Sequence, residues 1–225
     1  MTGLSEQSKQ IRKQILIEAY KHKHGHIASC FSCVEILLAI KEVMKPGDRF
    51  ILSKGHAILA EKAVFGKEIS CYKTGSLGHG LGVACGIALG DPDHNVYVVV
   101  GDGELQEGSC YEALQFIGKN QLSNLKVIID DNGFQASCET MYDITPEKLG
   151  HICAWKVFPS NCDGHNIEEI KEEISINNDY AHIIIASTDK GKGSVIISNN
   201  PIEWHTRVPM NEQEYNSLLM EISNA

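Results

Sequence analysis

Two polar segments directly follow apolar runs that have the length of buried strands. Asp102 lies in the segment GDG after the run VYVVV at 96–100, and Asn132 follows the run LKVIID at 125–130. If both runs are neighbouring strands of a parallel sheet, their carboxyl ends meet and these side chains come together. A carboxylate, an amide and a backbone carbonyl form an all-oxygen donor set that suits Mg²⁺ and leaves room for phosphate oxygens. The pattern predicts a metal–diphosphate site.

The residues around Asp102 favour the same interpretation. Gly101 and Gly103 allow the backbone to approach a phosphate closely, and the N-terminus of a helix at 107–120 would attract an anion. Gly-Asp-Gly alone is a weak signal, because Asp-Gly also occurs in ordinary turns. The combination is stronger: a strand, GDG, a helix, and a second strand that ends near Asn132, thirty positions after Asp102.

The order of predicted elements indicates a doubly wound α/β fold with a mostly parallel sheet and helices on both faces. Helices follow from apolar residues at helical spacing, and strands from short apolar runs without alternation. The predicted helices are 11–25, 32–44, 107–120, 167–176 and 211–222, and 75–90 is predicted as a glycine-rich turn that leads into a further helix. The predicted strands are 96–100, 125–130, 155–158 and 182–187. We expect one domain over residues 1–225.

Composition excludes several classes of function. The chain has 225 residues and a formal net charge of −9, without a basic stripe, which argues against non-specific nucleic-acid binding. The N-terminus is polar and no apolar run reaches about 18 residues, so neither a signal peptide nor a membrane span is expected. The sequence therefore predicts a cytoplasmic protein that binds neither nucleic acid nor membrane.

Eight cysteines are present, and in the cytoplasm we expect them as reduced thiols. Cys30 and Cys33 form a CxxC pair. A zinc site would need a second pair of ligands at similar spacing, and the sequence has none. A redox pair remains an alternative, but two small residues packed at the start of a helix are favoured.

Several segments, in order along the chain, resemble the N-terminal, diphosphate-binding part of transketolase, a thiamine diphosphate-dependent enzyme. GDG followed about thirty residues later by Asn is similar to the fingerprint of that cofactor. GDGELQEG favours transketolase over the alpha subunits of 2-oxo-acid dehydrogenases. The matching segments are GHIASCFSCVEILLAI (25–40), DRFILSKGHAILA (48–60), TGSLGHGLGVACGIALG (74–90), GDGELQEGSCYEAL (101–114), LKVIIDDNGFQ (125–135), CDGHNIEEI (162–170), DKGKG (189–193) and NPIEWHTRVP (200–209).

The resemblance implies thiamine diphosphate and Mg²⁺ as cofactors, and it assigns roles to individual residues. The implied metal ligands are the side chains of Asp102 and Asn132 and the carbonyl of Phe134. The implied cofactor contacts are Ser29, His56, Gly75, Ser76, Leu77, Gly103, Asn132, Lys190 and His205. The implied catalytic residues are His26 and His205, which face the donor sugar, together with His56 and with Glu107, which lies at a dimer contact linking paired active sites.

Each histidine also has a structural alternative, since a lone histidine more often packs or caps than reacts. Three histidines inside matching motifs favour the functional interpretation. His79 is expected behind the site, and Lys192 in a solvated turn. The histidines expected at the surface or in packing are His22, His24, His94, His151, His165 and His182.

The chain departs from the family pattern at two places. No second sheet follows residue 225, so the resemblance to split transketolases implies a separate subunit with the pyrimidine-binding domain, in an assembly with two copies of each. The segment between 53–57 and 74–78 is short and lacks a GHPE-like histidine, which leaves the donor and acceptor sugars open. Acyl transfer from a 2-oxo acid, or a non-catalytic scaffold role, remains an alternative.

Overall fold

The computed structural model describes residues 4–141 and 143–225. Its centre is a sheet of five strands in the order β1-β2-β3-β5-β4, with parallel pairing throughout. The strands are β1 (Arg49–Leu52), β2 (Val96–Gly101), β3 (Leu125–Asp131), β4 (Val157–Asp163) and β5 (Ala181–Ser187). The expected α/β fold with a parallel sheet is confirmed.

Helices cover both faces of the sheet, so the inner strands β2, β3 and β5 are buried on both sides. The helices are α1 (Glu6–His22), α2 (Ile27–Ser32), α3 (Val34–Val43), α4 (Ile58–Phe65), α5 (His79–Gly90), α6 (Gly108–Asn120), α7 (Pro146–Ile152), α8 (Ile167–Ser175), α9 (Val195–Ser198) and α10 (Glu212–Asn224). Val98 packs with the α5–α6–α7 side, and Val99 packs with the side formed by α1 to α4, α8 and α10. Among the described residues, no helix combines the length and the hydropathy that crossing a membrane requires.

Several predicted boundaries were wrong. The helix predicted at 32–44 is α3, which begins at Val34, because the backbone at Cys33 (φ −100°, ψ 12°) departs from helical geometry. The strand predicted at 155–158 starts at Val157, because Trp155 has a φ of +58°, which an extended strand does not allow. Strand β1 and helices α2, α4, α7 and α9 were not predicted.

The sheet order brings the carboxyl ends of β2 and β3 together. Gly101 lies beside Asp130 in the register, and the N–H of Asp102 donates to the carbonyl of Asp130 at 3.3 Å. Strand β1 pairs with the other side of β2 and delivers the segment 53–57 to the same edge. The expected convergence of polar strand ends is therefore confirmed.

Candidate functional site

A cavity of about 270 Å³ opens at the carboxyl ends of β1, β2 and β3. Most of the residues implicated by the sequence line it. From the first half of the chain these are His26, Ser29, His56, Gly75 and Leu77, and from the second half they are Asp102, Gly103, Glu107, Asn132, Phe134, Lys190 and His205.

Asp102 is a buried carboxylate that organises the loop after β3. Its Oδ1 accepts a hydrogen bond from the N–H of Gly103 at 2.7 Å. Its Oδ2 accepts from the N–H groups of Asn132 at 2.9 Å and Gly133 at 2.5 Å. Burial, and then the negative charge of Asp130, raise the pKa of Asp102 to about 6. The carboxylate is thus held by neutral amides in a place that favours the arrival of a cation.

The oxygen atoms around Asp102 fit a hard divalent cation. Asn132 directs its Oδ1 back to the N–H of Phe134 at 3.2 Å, so its amide and the carboxylate of Asp102 belong to one turn. Among the described residues no group of three His, Cys, Asp or Glu side chains could hold a metal. The ion would therefore rest on one carboxylate plus amide and carbonyl oxygens, a donor set that suits Mg²⁺ with water and phosphate ligands.

Lys190 supplies a positive charge to the same cavity. Its Nζ donates to the carbonyl of Gln135 at 2.9 Å and lies 3.4 Å from that of Phe134. Burial, and then the charge of Lys54, lower the pKa of Lys190 to about 8. An ammonium group with backbone carbonyls as partners can turn towards an arriving anion and offset its charge.

Three histidine rings cluster on another wall of the cavity. The ring centroids of His26 lie 5.3 Å from His56 and 5.1 Å from His205, and those of His56 and His205 lie 5.6 Å apart. Burial lowers the pKa of His26, lowers that of His56 to about 2 and lowers that of His205 to about 4. All three imidazoles are therefore neutral near pH 7, and each offers one donor and one acceptor to hydroxyl groups.

The sequence interpretation missed two charged residues, Lys54 and Glu104, which also line the cavity. Lys54 is buried in an ion pair with Asp130 and donates to the carbonyl of Ser29 at 3.1 Å. Burial alone would lower the pKa of Lys54, but the charge of Asp130 raises it. The available signal was a charged residue directly after the apolar run RFIL at 49–52. Glu104 is a buried carboxylate inside the GDGELQEG segment, which the motif alone did not single out.

Among the residues singled out in the sequence, Ser76 and His79 lie outside the cavity lining and Glu107 lies at its edge. Ser76 does not line the cavity; its N–H and carbonyl both bond the hydroxyl of Thr74, at 3.2 and 2.5 Å. His79 is exposed at the start of α5 and borders a separate depression, so its expected place behind the site is wrong. Glu107 is exposed at the edge of the cavity.

The cysteines behave as packing residues. All eight are free thiols, and only Cys71 and Cys138 are exposed. Burial raises the pKa of Cys30 to about 11 and also raises that of Cys33. A thiol with so high a pKa is a poor nucleophile at neutral pH, which supports the packing interpretation of the CxxC pair.

Comparison with known proteins places this geometry in a family. The model of the family "Transketolase, thiamine diphosphate binding domain" matches residues 65–217, more than half of the chain. The chain belongs to the transketolase family. A second family model, described as 1-deoxy-D-xylulose-5-phosphate synthase, matches residues 1–74.

Individual relatives agree with this assignment. An apulose-4-phosphate transketolase subunit of Phocaeicola vulgatus is 32% identical, over 98% of this chain and 94% of that protein. The 6-deoxy-6-sulfo-D-fructose transketolase subunit of Clostridium sp. is 33% identical, over 85% of this chain and 86% of that protein. Human transketolase is 30% identical over 88% of this chain, which spans only 38% of the human protein.

The solved structure of transketolase from Leishmania mexicana superposes with a TM-score of 0.80 and 22% identity, covering 99% of this chain and 42% of that one. At that identity the likeness confirms the fold. The family match and the relatives identify the chain as a subunit of a thiamine diphosphate-dependent ketol transferase, as the motifs predicted.

Proposed function

We propose that this chain is the diphosphate-binding subunit of a split transketolase that transfers a two-carbon ketol unit between sugars. The observation that carries the proposal is the arrangement of the cavity. Asp102, Asn132 and Lys190 provide a place for a metal and an anion on one wall, and three neutral histidines face the same space from another. Two relatives named as transketolase subunits match this chain over most of their own length.

The proposed cofactors are Mg²⁺ and thiamine diphosphate. Asp102, the side chain of Asn132 and the carbonyl of Phe134 would hold the metal, while Gly103 and Lys190 would contact the diphosphate. Ser29, His56, Gly75, Leu77 and His205 would contact the rest of the cofactor; Ser76, outside the cavity lining, would contribute only through its backbone. When bound, thiamine diphosphate supplies an electron sink for breaking a carbon–carbon bond beside a carbonyl.

The histidines of this chain would bind the sugar and move protons. Because burial keeps the imidazoles neutral, each ring can donate to one hydroxyl and accept from another without adding charge to the cavity. Ser29 lies with its Oγ 3.5 Å from Nδ1 of His205, which orients that ring. His26 and His205 would hold or accept the proton of a donor hydroxyl, which is general acid–base work.

A second chain would complete the site. We propose that residues 1–225 form one domain and that a separate subunit supplies the pyrimidine-binding domain, in an assembly with two copies of each. Leu77 is 38% exposed at the edge of the cavity, where such a partner would dock. Glu107 would face that contact. The eight free thiols support a reducing compartment, the cytoplasm.

The proposed substrates are sugars or sugar phosphates. The names of two relatives specify apulose-4-phosphate and 6-deoxy-6-sulfo-D-fructose, both sugars with an anionic group. Because the short segment between 53–57 and 74–78 lacks the GHPE-like histidine, a donor other than an ordinary pentose phosphate is favoured.

The first test is to recover the partner. The tagged full-length chain is purified from its native cytoplasm, and co-purifying proteins are identified by mass spectrometry. The reconstituted complex is then assayed with Mg²⁺ and thiamine diphosphate, using ketose donors in one series and pyruvate in another. Ketol transfer from a ketose supports the proposal. Turnover of pyruvate alone would replace it with acyl transfer.

A matched variant distinguishes catalysis from a scaffold role. Asp102→Asn should abolish Mg²⁺-dependent activity of the complex without preventing assembly. An active Asp102→Asn complex would overturn the catalytic assignment and favour a scaffold. The isolated chain should bind the cofactor weakly, since it holds only part of the cavity; tight Mg²⁺-dependent binding by this chain alone would contradict the shared site.

A further inference from the structure

The loop that enters the cavity before α5 ends at a constrained glycine. Gly78 has a φ of +85°, a conformation that favours glycine. A Cβ at this position would lie 2.5 Å from Oγ of Ser109 and 2.9 Å from Cβ of Glu107. The turn therefore requires glycine at position 78 for two reasons: the positive φ, and the close approach of the start of α6.

Both backbone polar groups of Gly78 are held by side chains from another segment. Its N–H donates to Oε1 of Glu104 at 2.8 Å, and its carbonyl accepts from the hydroxyl of Ser109 at 2.9 Å. The two side chains come from the segment that follows β2. These two hydrogen bonds hold the N–H and the carbonyl of Gly78 and thereby fix the position of residues 75–77 relative to the GDG segment.

Glu104 connects three segments that build the cavity. Besides Gly78, its Oε1 accepts from the hydroxyl of Ser53 at 2.5 Å, and its Oε2 accepts from the N–H of Gly101 at 3.3 Å. Ser53 follows β1, and Gly101 is the last residue of β2. The side chain is only 2% exposed, and burial of a carboxylate is costly unless such hydrogen bonds offset the lost hydration.

We propose that Glu104 and Ser109 are positioning residues that clamp Gly78 and thereby hold the loop 75–77 in place to receive the ring portion of the cofactor. The contact with the ring rests on the proposed function, whereas the clamp rests on the hydrogen bonds alone. The diphosphate end of the cavity is built by Asp102, Asn132 and Lys190, whereas the hydroxyl of Ser109 bonds the carbonyl of Gly78. Loss of the Ser109 hydroxyl should therefore affect one end of the cofactor and spare the other.

Glu61 provides a matched control. It is a buried carboxylate, fully shielded from solvent, whose Oε1 accepts from the N–H groups of Ile69 and Ser70, both at 2.6 Å. It thus holds a loop by the same chemistry as Glu104, but it does not line the cavity. The variant Glu61→Gln therefore measures how the loss of a buried carboxylate affects folding, at a position away from the cavity.

The first measurement is amide hydrogen exchange of the full-length chain. In Glu104→Ala and Ser109→Ala, exchange of amides in the turn 75–78, normalised to Ile128 in the central strand, should rise about tenfold or more. Glu104→Gln keeps an amide oxygen for Gly78 and should restore most of the protection. In Glu61→Gln the ratio should match the wild type. An unchanged ratio in both Glu104→Ala and Ser109→Ala would overturn the clamp.

The second measurement titrates the reconstituted complex with two probes by calorimetry, Mg²⁺–thiamine diphosphate and Mg²⁺–pyrophosphate. Ser109→Ala should raise the Kd of thiamine diphosphate about tenfold and leave that of pyrophosphate within about twofold. Equal losses for both probes would refute a role specific to the ring end. A wild-type complex that binds neither probe would count against the proposed function, while the exchange experiment would still decide the clamp.

Discussion

The protein contains two clusters of buried charged side chains, and they differ in how the charges are paired. In the structural cluster (Arg12, Glu35, His165), both guanidinium NH groups of Arg12 reach the carboxylate of Glu35, at 2.6 and 2.8 Å, and Nδ1 of His165 lies 3.0 Å from Oε2. In the site cluster (Lys54, Asp102, Asp130, Lys190), Asp102 accepts from backbone amides and Lys190 donates to backbone carbonyls.

The pKa shifts express the same difference. Burial would raise the pKa of Glu35, but the hydrogen bonds from Arg12 and His165 lower it to about 2. The pKa of Asp102 is raised to about 6 instead. In the structural cluster the carboxylate of Glu35 is paired with the guanidinium of Arg12 from the same chain. In the site cluster Lys54 pairs with Asp130, whereas Asp102 and Lys190 are each held by neutral backbone groups, which leaves their charges available to a bound cation and a bound anion.

The largest expected effect comes from the site cluster. In the reconstituted complex, Asp102→Asn should lower kcat/KM about 10³-fold, which corresponds to about 4 kcal/mol, because the carboxylate proposed to hold the metal is gone. Thermal unfolding of the isolated chain should shift by only a few degrees, because the amide keeps the packing but turns its nitrogen towards an N–H that now donates to the carboxylate. Asp131→Asn, one position from the site cluster, is the control; an equal loss there would contradict a specific role for Asp102.

The structural cluster should show the reverse pattern. Glu35→Gln leaves the buried guanidinium of Arg12 without its counter-charge and should lower the free energy of unfolding by about 3 kcal/mol. Urea unfolding at pH 7 measures this change. Glu42→Gln, which removes a partly exposed partner of Lys171, should have a much smaller effect. Comparable destabilisation by both variants would show that the pairing of Arg12 with Glu35 is unimportant.

The decrease in the free energy of unfolding at low pH should depend on Glu35. A carboxyl group whose pKa is lower in the folded than in the unfolded protein stabilises the fold when the pH is above its unfolded-state pKa. This stabilisation is lost as the pH falls towards its folded-state pKa. The free energy of unfolding should therefore decline between about pH 4.5 and pH 2. The slope in this window should be shallower in Glu35→Gln. An identical slope in both proteins would mean that other carboxylates govern acid unfolding.

The smallest effect concerns the connection between the clusters. His165 bonds Glu35 through Nδ1, and its Nε2 accepts from the N–H of Asp189 at 2.8 Å, directly before Lys190. His165→Asn should cost about 1 kcal/mol of stability through the loss of one hydrogen bond. It should also raise the Kd of Mg²⁺–pyrophosphate about threefold by loosening Lys190. A stability loss with an unchanged Kd would show that the two clusters are independent.

The sequence was most informative where a short polar motif follows a fully buried strand. Strand β2 has an uninterrupted apolar run, and that of β3 is interrupted only by Lys126 before its terminal aspartates, so both strands and the polar residues that end them were predictable. Edge strands were harder to predict. β1 has only four residues, and β4 carries a proline and exposed positions, which edge positions tolerate but which weaken the pattern.

Partners across the chain were not predictable at all. Lys54 meets Asp130, and Glu104 meets Gly78, only after the sheet has ordered its strands, because these contacts span 76 and 26 positions. A single sequence contains no periodic signal for such pairs. Arg12 shows the same limit: it lies in a predicted helix, yet nothing local indicates that it is buried against Glu35.

The uneven burial of the thiols gives this chain a built-in reporter. A maleimide dye at neutral pH should react at Cys71 and Cys138, because the other six sulfur atoms are buried. Cys138 lies in the loop whose Gln135 lines the cavity, with the Nε2 of Gln135 3.1 Å from its Sγ. A fluorophore at this native position would sense the docking of a second chain or the filling of the cavity, without any engineered cysteine.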